Sequence, residues 1–123
     1  MDEDYLRVLL ERLAGLGTSK YVVLTGASLT EGKSGVAAMD VATGEIFRYE
    51  HRKIERSYHG TGDVFSSTCV GALTLGRSIR EALQIAADFT VDCIEQTMIN
   101  DPEKTYGVDF ELVIPKLIKR LEK

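Results

Sequence analysis

The chain contains no tryptophan, only two prolines and two histidines, and it has no excess of basic residues. Its formal net charge of -4 argues against nucleic-acid binding, which depends on clustered lysine and arginine side chains that neutralise phosphates. No apolar run approaches the length of a membrane-spanning helix, and residues 1–4 are acidic where a secretory signal would be basic. These absences predict a soluble, cytoplasmic protein that has neither nucleic acid nor a membrane as its partner.

Cysteine is also scarce: the chain has two, Cys69 and Cys93. Both lie in apolar stretches with helical spacing, and neither belongs to a Cys-x-x-Cys pair. Such cysteines behave as small hydrophobic residues, so we expect buried, reduced thiols and no metal site.

The remaining composition is typical of one globular domain. Hydrophobic residues make up 44% of the 123 positions and charged residues 28%, and this length is enough to build a hydrophobic core. We therefore expect residues 1–123 to form a single domain.

Apolar periodicity predicts a first helix over residues 4–16 and a later helix over residues 79–98. Ser78 and Glu81 have the spacing of a capping box at the start of that later helix. A last amphipathic helix is indicated by Phe110, Val113, Ile114, Leu117 and Leu121, with Pro115 near its start.

Two patterns indicate strands. Tyr21–Thr25 is a continuous run rich in β-branched residues, which is typical of a strand covered on both faces in a parallel sheet. Residues 36–40 and 45–50 flank a turn at 41–44 and predict a β-hairpin.

Residues 63–75 are small or apolar nearly all round, which predicts a helix buried on every side, with Gly76 at its end. A sheet of one strand and one hairpin is thin for such a helix. We therefore expect the chain to pair with another copy of itself or with a partner that supplies more of the fold.

A segment from Gly26 to Ser34 looks like a phosphate-binding P-loop and is rejected as one. It has five residues between its two glycines where a P-loop has four, and an extended run follows it where a P-loop opens a helix. Thr25 and Gly26 still lie at a strand end, where α/β proteins bind ligands.

The motif Gly60-Thr61-Gly62-Asp63 lies at the start of the apolar helix. Amides at a helix start have no intrahelical acceptor and lie at the positive end of the helix dipole, so they suit an anion. Asp63 has two explanations. It caps the helix, or it takes the proton of a hydroxyl that attacks a phosphate bound by the neighbouring amides.

In its surroundings this motif resembles the carboxy-terminal half of pyridoxal kinases, which belong to the ribokinase-like (phosphofructokinase-B) superfamily. The resemblance rests on residues 58–67, 70–73 and 82–86, together with Thr25 and Gly26, and it covers almost the whole chain. It implies the α/β class and part of a ribokinase-like three-layer α/β/α sandwich.

The same resemblance implies a set of site residues. Gly60, Thr61 and Gly62 would form an anion hole, and Asp63 would be the catalytic base. Thr25 and Gly26 would border the nucleotide, although many pyridoxal kinases have Thr-Ser there. The implied cofactors are ATP and Mg²⁺, and the implied substrate is the hydroxymethyl group of pyridoxal, pyridoxine or pyridoxamine.

Members of that family are much longer than this chain. Their amino-terminal half carries much of the substrate pocket, its lid and the Asn/Glu motif associated with magnesium. The resemblance thus implies little or no activity for the chain alone, and a partner or second copy that supplies the missing half. Two alternatives stay open: a non-catalytic nucleotide-binding or interaction module, and a hydroxymethylpyrimidine or sugar kinase of the same superfamily.

Overall fold

The computed structural model describes residues 2–17, 19–26, 31–52, 61–100 and 113–122. In chain order the elements are α1 (Glu3–Ala14), β1 (Tyr21–Thr25), β2 (Lys33–Asp40), β3 (Ile46–Arg52), α2 (Thr61–Thr74), α3 (Ile79–Asn100) and α4 (Ile114–Glu122). The chain divides into two compact units, Met1–Lys53 and Ile54–Lys123. Among the described residues no helix is both long and apolar enough to cross a bilayer.

The first unit begins with the predicted helix α1. Asp2 caps it, because its carboxylate accepts a hydrogen bond from the Tyr5 amide at 2.7 Å. Leu6 and Leu10 lie one turn apart on the buried face and pack in one cluster with Ala37 and Met39 of the sheet.

The sheet of the first unit has three antiparallel strands in the order β1-β2-β3. The hairpin of β2 and β3 is confirmed, and its turn is stabilised by Asp40, whose carboxylate accepts hydrogen bonds from the amides of Ala42 and Thr43. Gly44 in this turn has a φ of 76°, which favours glycine.

The prediction of a parallel-sheet strand at Tyr21–Thr25 is wrong. This strand, β1, pairs antiparallel with β2, and four of its five residues are only partly buried. The run of five buried residues belongs instead to β2. A β-branched run identifies a strand, but it does not specify the direction of the neighbouring strand.

The second unit begins with α2, which ends at a Schellman motif. Gly76 has a φ of 91°, its amide donates to the Leu73 carbonyl, and the Arg77 amide donates to the Ala72 carbonyl, both at 3.0 Å. The predicted capping box follows at once. The Ser78 amide donates to Glu81, and the Glu81 amide donates to the Ser78 hydroxyl at 3.1 Å.

The prediction that the α2 helix is buried on every side is wrong. Phe65, Cys69 and Ala72 are buried along one side, whereas Val70 is 62% exposed on the other. Ser66, Ser67 and Thr74 are exposed on the same side as Val70, so polar residues at helical spacing do mark a solvent face in this segment.

Long helix α3 forms most of the core of the second unit, and both cysteines are buried and not joined in a disulfide. Val113, just before α4, packs with Phe89 and Cys93 of α3. Pro115 is the second residue of α4, as the sequence predicted. Phe110, assigned to the same amphipathic segment, lies outside the described residues.

Candidate functional site

The candidate site of the second unit is the first turn of α2, which begins at Thr61. Thr61, Gly62 and Asp63 therefore occupy the turn whose amides have no acceptor within the helix. Gly60, the fourth residue of the motif, lies outside the described residues. The structure thus brings together three of the four residues that the motif predicted, on one helix start.

Two residues of this helix start are exposed in the described structure. Gly62 and Asp63 are exposed, and a Cβ atom added at Gly62 would have no neighbour within 4 Å. The space on the Cβ side of Gly62 is therefore open.

The residues behind the turn hold it in place. Phe65 is buried, and Val64 packs against the cluster of Phe89, Cys93 and Val113. One turn further on, the Thr68 hydroxyl donates to the Val64 carbonyl at 2.7 Å. Asp63 is thus an exposed carboxylate on a helix whose opposite side is anchored in the core.

A carboxylate in the first turn of a helix interacts favourably with the helix dipole, so Asp63 also fits a purely structural explanation. The same amides and dipole that stabilise a carboxylate would stabilise a phosphate. The geometry therefore permits both explanations of Asp63, and it places the carboxylate beside the amides that a phosphoryl group would use.

The first unit contains Thr25 and Gly26, at the end of β1. Both are exposed, and Gly26 has a φ of 69°, a conformation that costs other residues about 1–2 kcal/mol. A Cβ atom at Gly26 would have no neighbour within 4 Å, so this backbone too is open to close approach. The positive φ gives a physical reason why glycine stands where many pyridoxal kinases have serine.

Lys33 and Ser34, the end of the P-loop-like segment, belong to strand β2. A P-loop would place them at the start of a helix whose amides hold the phosphates. The rejection of a P-loop is therefore confirmed.

A cavity of about 190 Å³ in the second unit was not anticipated from the sequence. It is lined by Arg77, Glu81, Gln84, Ile85, Asp88 and Arg120. The arginines are already engaged, Arg77 by Glu81 and Arg120 by Asp88. Because carboxylates offset both positive charges, the cavity is poorly suited to a phosphate, and no sequence motif marks it.

The described residues contain no cluster of metal-ligating side chains. Within those ranges no three side chains of the His, Cys, Asp or Glu type come close enough together to hold a metal ion. Mg²⁺ at kinase sites is usually bound through one or two carboxylates together with the substrate phosphates, which requires no such cluster.

Comparison with known families gives a match over most of the chain. The family profile described as phosphomethylpyrimidine kinase matches residues 2–107. That range includes both sets of candidate site residues. These are Thr25 and Gly26 in the first unit, and residues 60–63 in the second.

Solved structures with the same fold include bacterial and protozoan kinases. A Bacteroides thetaiotaomicron VPI-5482 protein assigned as a phosphomethylpyrimidine kinase has a TM-score of 0.76 and 24% identity over 100% of this chain and 41% of its own. Pyridoxal kinase from Lactobacillus plantarum has a TM-score of 0.79 and 23% identity over 93% of this chain and 41% of its own. Pyridoxal kinase from Entamoeba histolytica has a TM-score of 0.73 and 15% identity over 97% of this chain and 41% of its own.

These similarities establish the fold. The chain has part of the ribokinase-like α/β fold of these proteins, as the sequence predicted. It spans about 41% of the length of the solved structures that it matches.

Proposed function

The chain belongs to the phosphomethylpyrimidine kinase family, and from this we propose that it forms the nucleotide-side part of an ATP-dependent kinase for the hydroxymethyl group of a vitamin. The proposed substrates are pyridoxal, pyridoxine and pyridoxamine. Transfer requires, in addition, the part of the kinase fold that this chain does not span. The chain alone is expected to transfer little or no phosphate.

One observation carries this proposal. Within the range matched by the family, α2 begins at Thr61 and presents Gly62 and Asp63 to solvent beside open space. A helix start of this kind suits an anion, and phosphoryl transfer depends mainly on positioning and charge stabilisation.

The proposed roles follow from the chemistry of that turn. The amides of Gly60, Thr61 and Gly62 stabilise the charge that develops on the transferred phosphoryl group. The substrate hydroxyl oxygen forms a bond to the γ-phosphorus while the bond to the β,γ-bridging oxygen breaks, and ADP leaves with that electron pair. The carboxylate of Asp63 takes the hydroxyl proton, so atoms and charge balance.

Thr25 and Gly26 are proposed to border the nucleotide. Their support is the exposed end of β1 and the open backbone at Gly26, which leave room for a bound group. Mg²⁺, when bound with the nucleotide, would supply positive charge to the phosphates.

Pyridoxal is favoured as the substrate by three similar proteins. The L. plantarum and E. histolytica proteins are pyridoxal kinases, and the B. thetaiotaomicron protein was also solved in an orthorhombic form with pyridoxal, at 22% identity to this chain. Hydroxymethylpyrimidine is the alternative, in keeping with the family description, and a sugar is the third candidate.

The test uses a chimera in which this chain replaces the matching region of the L. plantarum kinase. We expect ATP-dependent phosphorylation of pyridoxal, which Asp63→Asn should reduce about 10²- to 10⁴-fold in kcat, the usual contribution of a general base. The matched control is Asp4→Asn, which removes a carboxylate from the first turn of α1. Undiminished turnover by Asp63→Asn in an active chimera would refute the role of Asp63.

The second candidate function is a non-catalytic module that binds a nucleotide or a partner protein. The observation that favours it is length, since the chain spans 41% of the kinases that it matches. It predicts that the isolated chain binds ATP in calorimetry, that Asp63→Asn leaves this binding intact, and that the chimera transfers no phosphate.

A further inference from the structure

The backbone groups on the outer edge of strand β1 point away from β2. The Lys20 carbonyl accepts from the Val41 amide at 3.0 Å, which makes these two residues a hydrogen-bonded pair. Such pairs alternate along an antiparallel ladder, so Val22 and Leu24 direct their backbone groups to β2. The amides and carbonyls of Tyr21, Val23 and Thr25 therefore face away from the sheet.

Within the described part of the chain, no strand pairs with this outer edge, because β1 is the first strand in the order β1-β2-β3. Natural proteins protect exposed edges with charged residues, prolines or bulges. Tyr21–Thr25 has none of these residues, and its register with β2 runs without a bulge. Among the described residues, the outer edge of β1 is thus unpaired, and its sequence contains none of these protective features.

Strand β3, at the other end of the sheet, provides an internal comparison. Its outward-directed residues include Arg48 and Glu50, and Arg48 pairs with Glu3 at 3.9 Å. Charges of this kind discourage the addition of a further strand. The two edges of the same sheet therefore differ in the protection that their sequences provide.

Side chains on β1 are also suited to an interface. Val22 and Leu24 pack against the core cluster under α1, which fixes the strand in place. Tyr21 and Val23 lie on the opposite face and are half-buried. A strand added beside β1 would cover apolar side chains and pair backbone groups at the same time.

We propose that the outer edge of β1 is the docking edge for an extended, apolar strand from the region of the kinase that this chain does not span. The occupant is argued from length. The chain covers 41% of the L. plantarum kinase, so more than half of such a protein is polypeptide that this chain lacks. This inference rests on the proposed function for the identity of the partner, but strand addition itself requires no catalysis.

The test is co-expression of the full chain with the part of the L. plantarum pyridoxal kinase outside the matched region. The two should co-purify, and deuterium exchange of the amides of Tyr21, Val23 and Thr25 should slow at least about tenfold relative to the chain alone. Absence of co-purification, or a complex in which those amides exchange as before, would overturn the proposal.

Variants at Val23 provide a second readout. Val23→Pro removes an outward amide and leaves the ladder with β2 intact, so it should weaken the complex at least about tenfold, which corresponds to about 1.4 kcal/mol. Val23→Thr keeps the amide and should change the affinity less than about threefold. Equal affinity for the two variants would contradict strand addition, and circular dichroism verifies that both are folded.

Two further outcomes separate this proposal from others. Protection of the same amides in a dimer of the chain alone would assign the edge to a second copy and refute the kinase partner. The unaltered pair can also form a complex with protected amides and yet show no turnover. If the Asp63→Asn pair forms the same complex, the result would count against the proposed function and still support the docking edge.

Discussion

The Nη2 atom of Arg120 lies 3.0 Å from Oδ2 of Asp92, and this ion pair connects α4 to α3. Nη1 of the same arginine lies 3.4 Å from Oδ2 of Asp88, one turn earlier on α3. A second arginine also contacts α4. Arg77, which lies just before α3, donates a hydrogen bond to the carbonyl of Leu121 near the end of α4. Since α4 has no buried residue and packs on the core through the partly buried Leu117, these polar contacts help to hold it.

Removal of Arg120 should therefore loosen α4. We expect Arg120→Ala to lower the free energy of unfolding by about 1–2 kcal/mol, because two carboxylates one turn apart would lose their counterion. A double-mutant cycle with Asp92→Asn should give a coupling of about 0.5–1 kcal/mol, since the arginine side chain is 35% exposed and solvent screens the pair. Urea denaturation measures both quantities, and Lys119→Ala, on an exposed position of α4, should change stability by less than about 0.5 kcal/mol.

The capping box of α3 should make stability depend on pH. Hydrogen bonds from Ser78, followed by one from Arg77, hold the pKa of Glu81 below its usual range. A carboxyl group with a depressed pKa in the folded state stabilises the fold above its unfolded pKa, and this contribution is lost as the pH falls through the folded pKa.

We therefore expect unfolding free energies measured from neutral to acidic pH to fall less steeply for Glu81→Gln than for the unaltered chain. Ser78→Ala should flatten the curve in the same way and cost about 1 kcal/mol at neutral pH, the usual value of an N-cap. Curves for all three proteins with one common acid slope would show that the capping box does not act through the charge of Glu81.

Two glycines of the α2 region should respond in opposite directions to alanine. Gly76 has a φ of 91°, so Gly76→Ala should destabilise the chain by about 1–2 kcal/mol. Gly71 lies inside α2 with no atom within 4 Å of an added Cβ, so Gly71→Ala should stabilise by about 0.5–1 kcal/mol. Thermal unfolding of the two variants side by side tests the prediction, which a shift of the same sign in both would contradict.

The cysteines should react slowly in the folded chain. Burial raises the pKa of the Cys69 thiol, so at neutral pH it is protonated and shielded from solvent. We expect its reaction with a thiol-specific disulfide reagent to be at least about tenfold slower than that of a cysteine introduced at the exposed position Lys116. Similar rates for Cys69 and Lys116→Cys would show that the α2 helix opens readily.

Local signals in the sequence predicted local structure well. The capping box at Ser78 and Glu81, the turn ending at Gly44 and the helix end at Gly76 were all predicted, because each depends on residues within one turn of each other. The motif at residues 60–63 likewise predicted a helix start, and α2 begins at Thr61.

Features that depend on distant parts of the chain were harder to predict. The direction of pairing of β1 is set by β2, which the apolar run Tyr21–Thr25 does not encode. Ser66, Ser67 and Thr74 do mark the exposed side of α2, but the exposure of the apolar Val70 among them depends on what packs against the helix. The roles of Thr25, Gly26 and Asp63 stay predictions, because they concern bound groups rather than the fold.

The alternation of hydrogen-bonding partners along β2 limits which insertions and deletions the protein can tolerate. Ala37 and Met39 bond to β1, whereas the even-numbered residues bond to β3, so the pairing of both neighbouring strands depends on the register of β2. Insertion or deletion of a single codon within Lys33–Asp40 would exchange the two partners and turn every later side chain of the strand to the other face. Among natural variants, length changes should therefore collect in the turn at 41–44 and be absent from the strand.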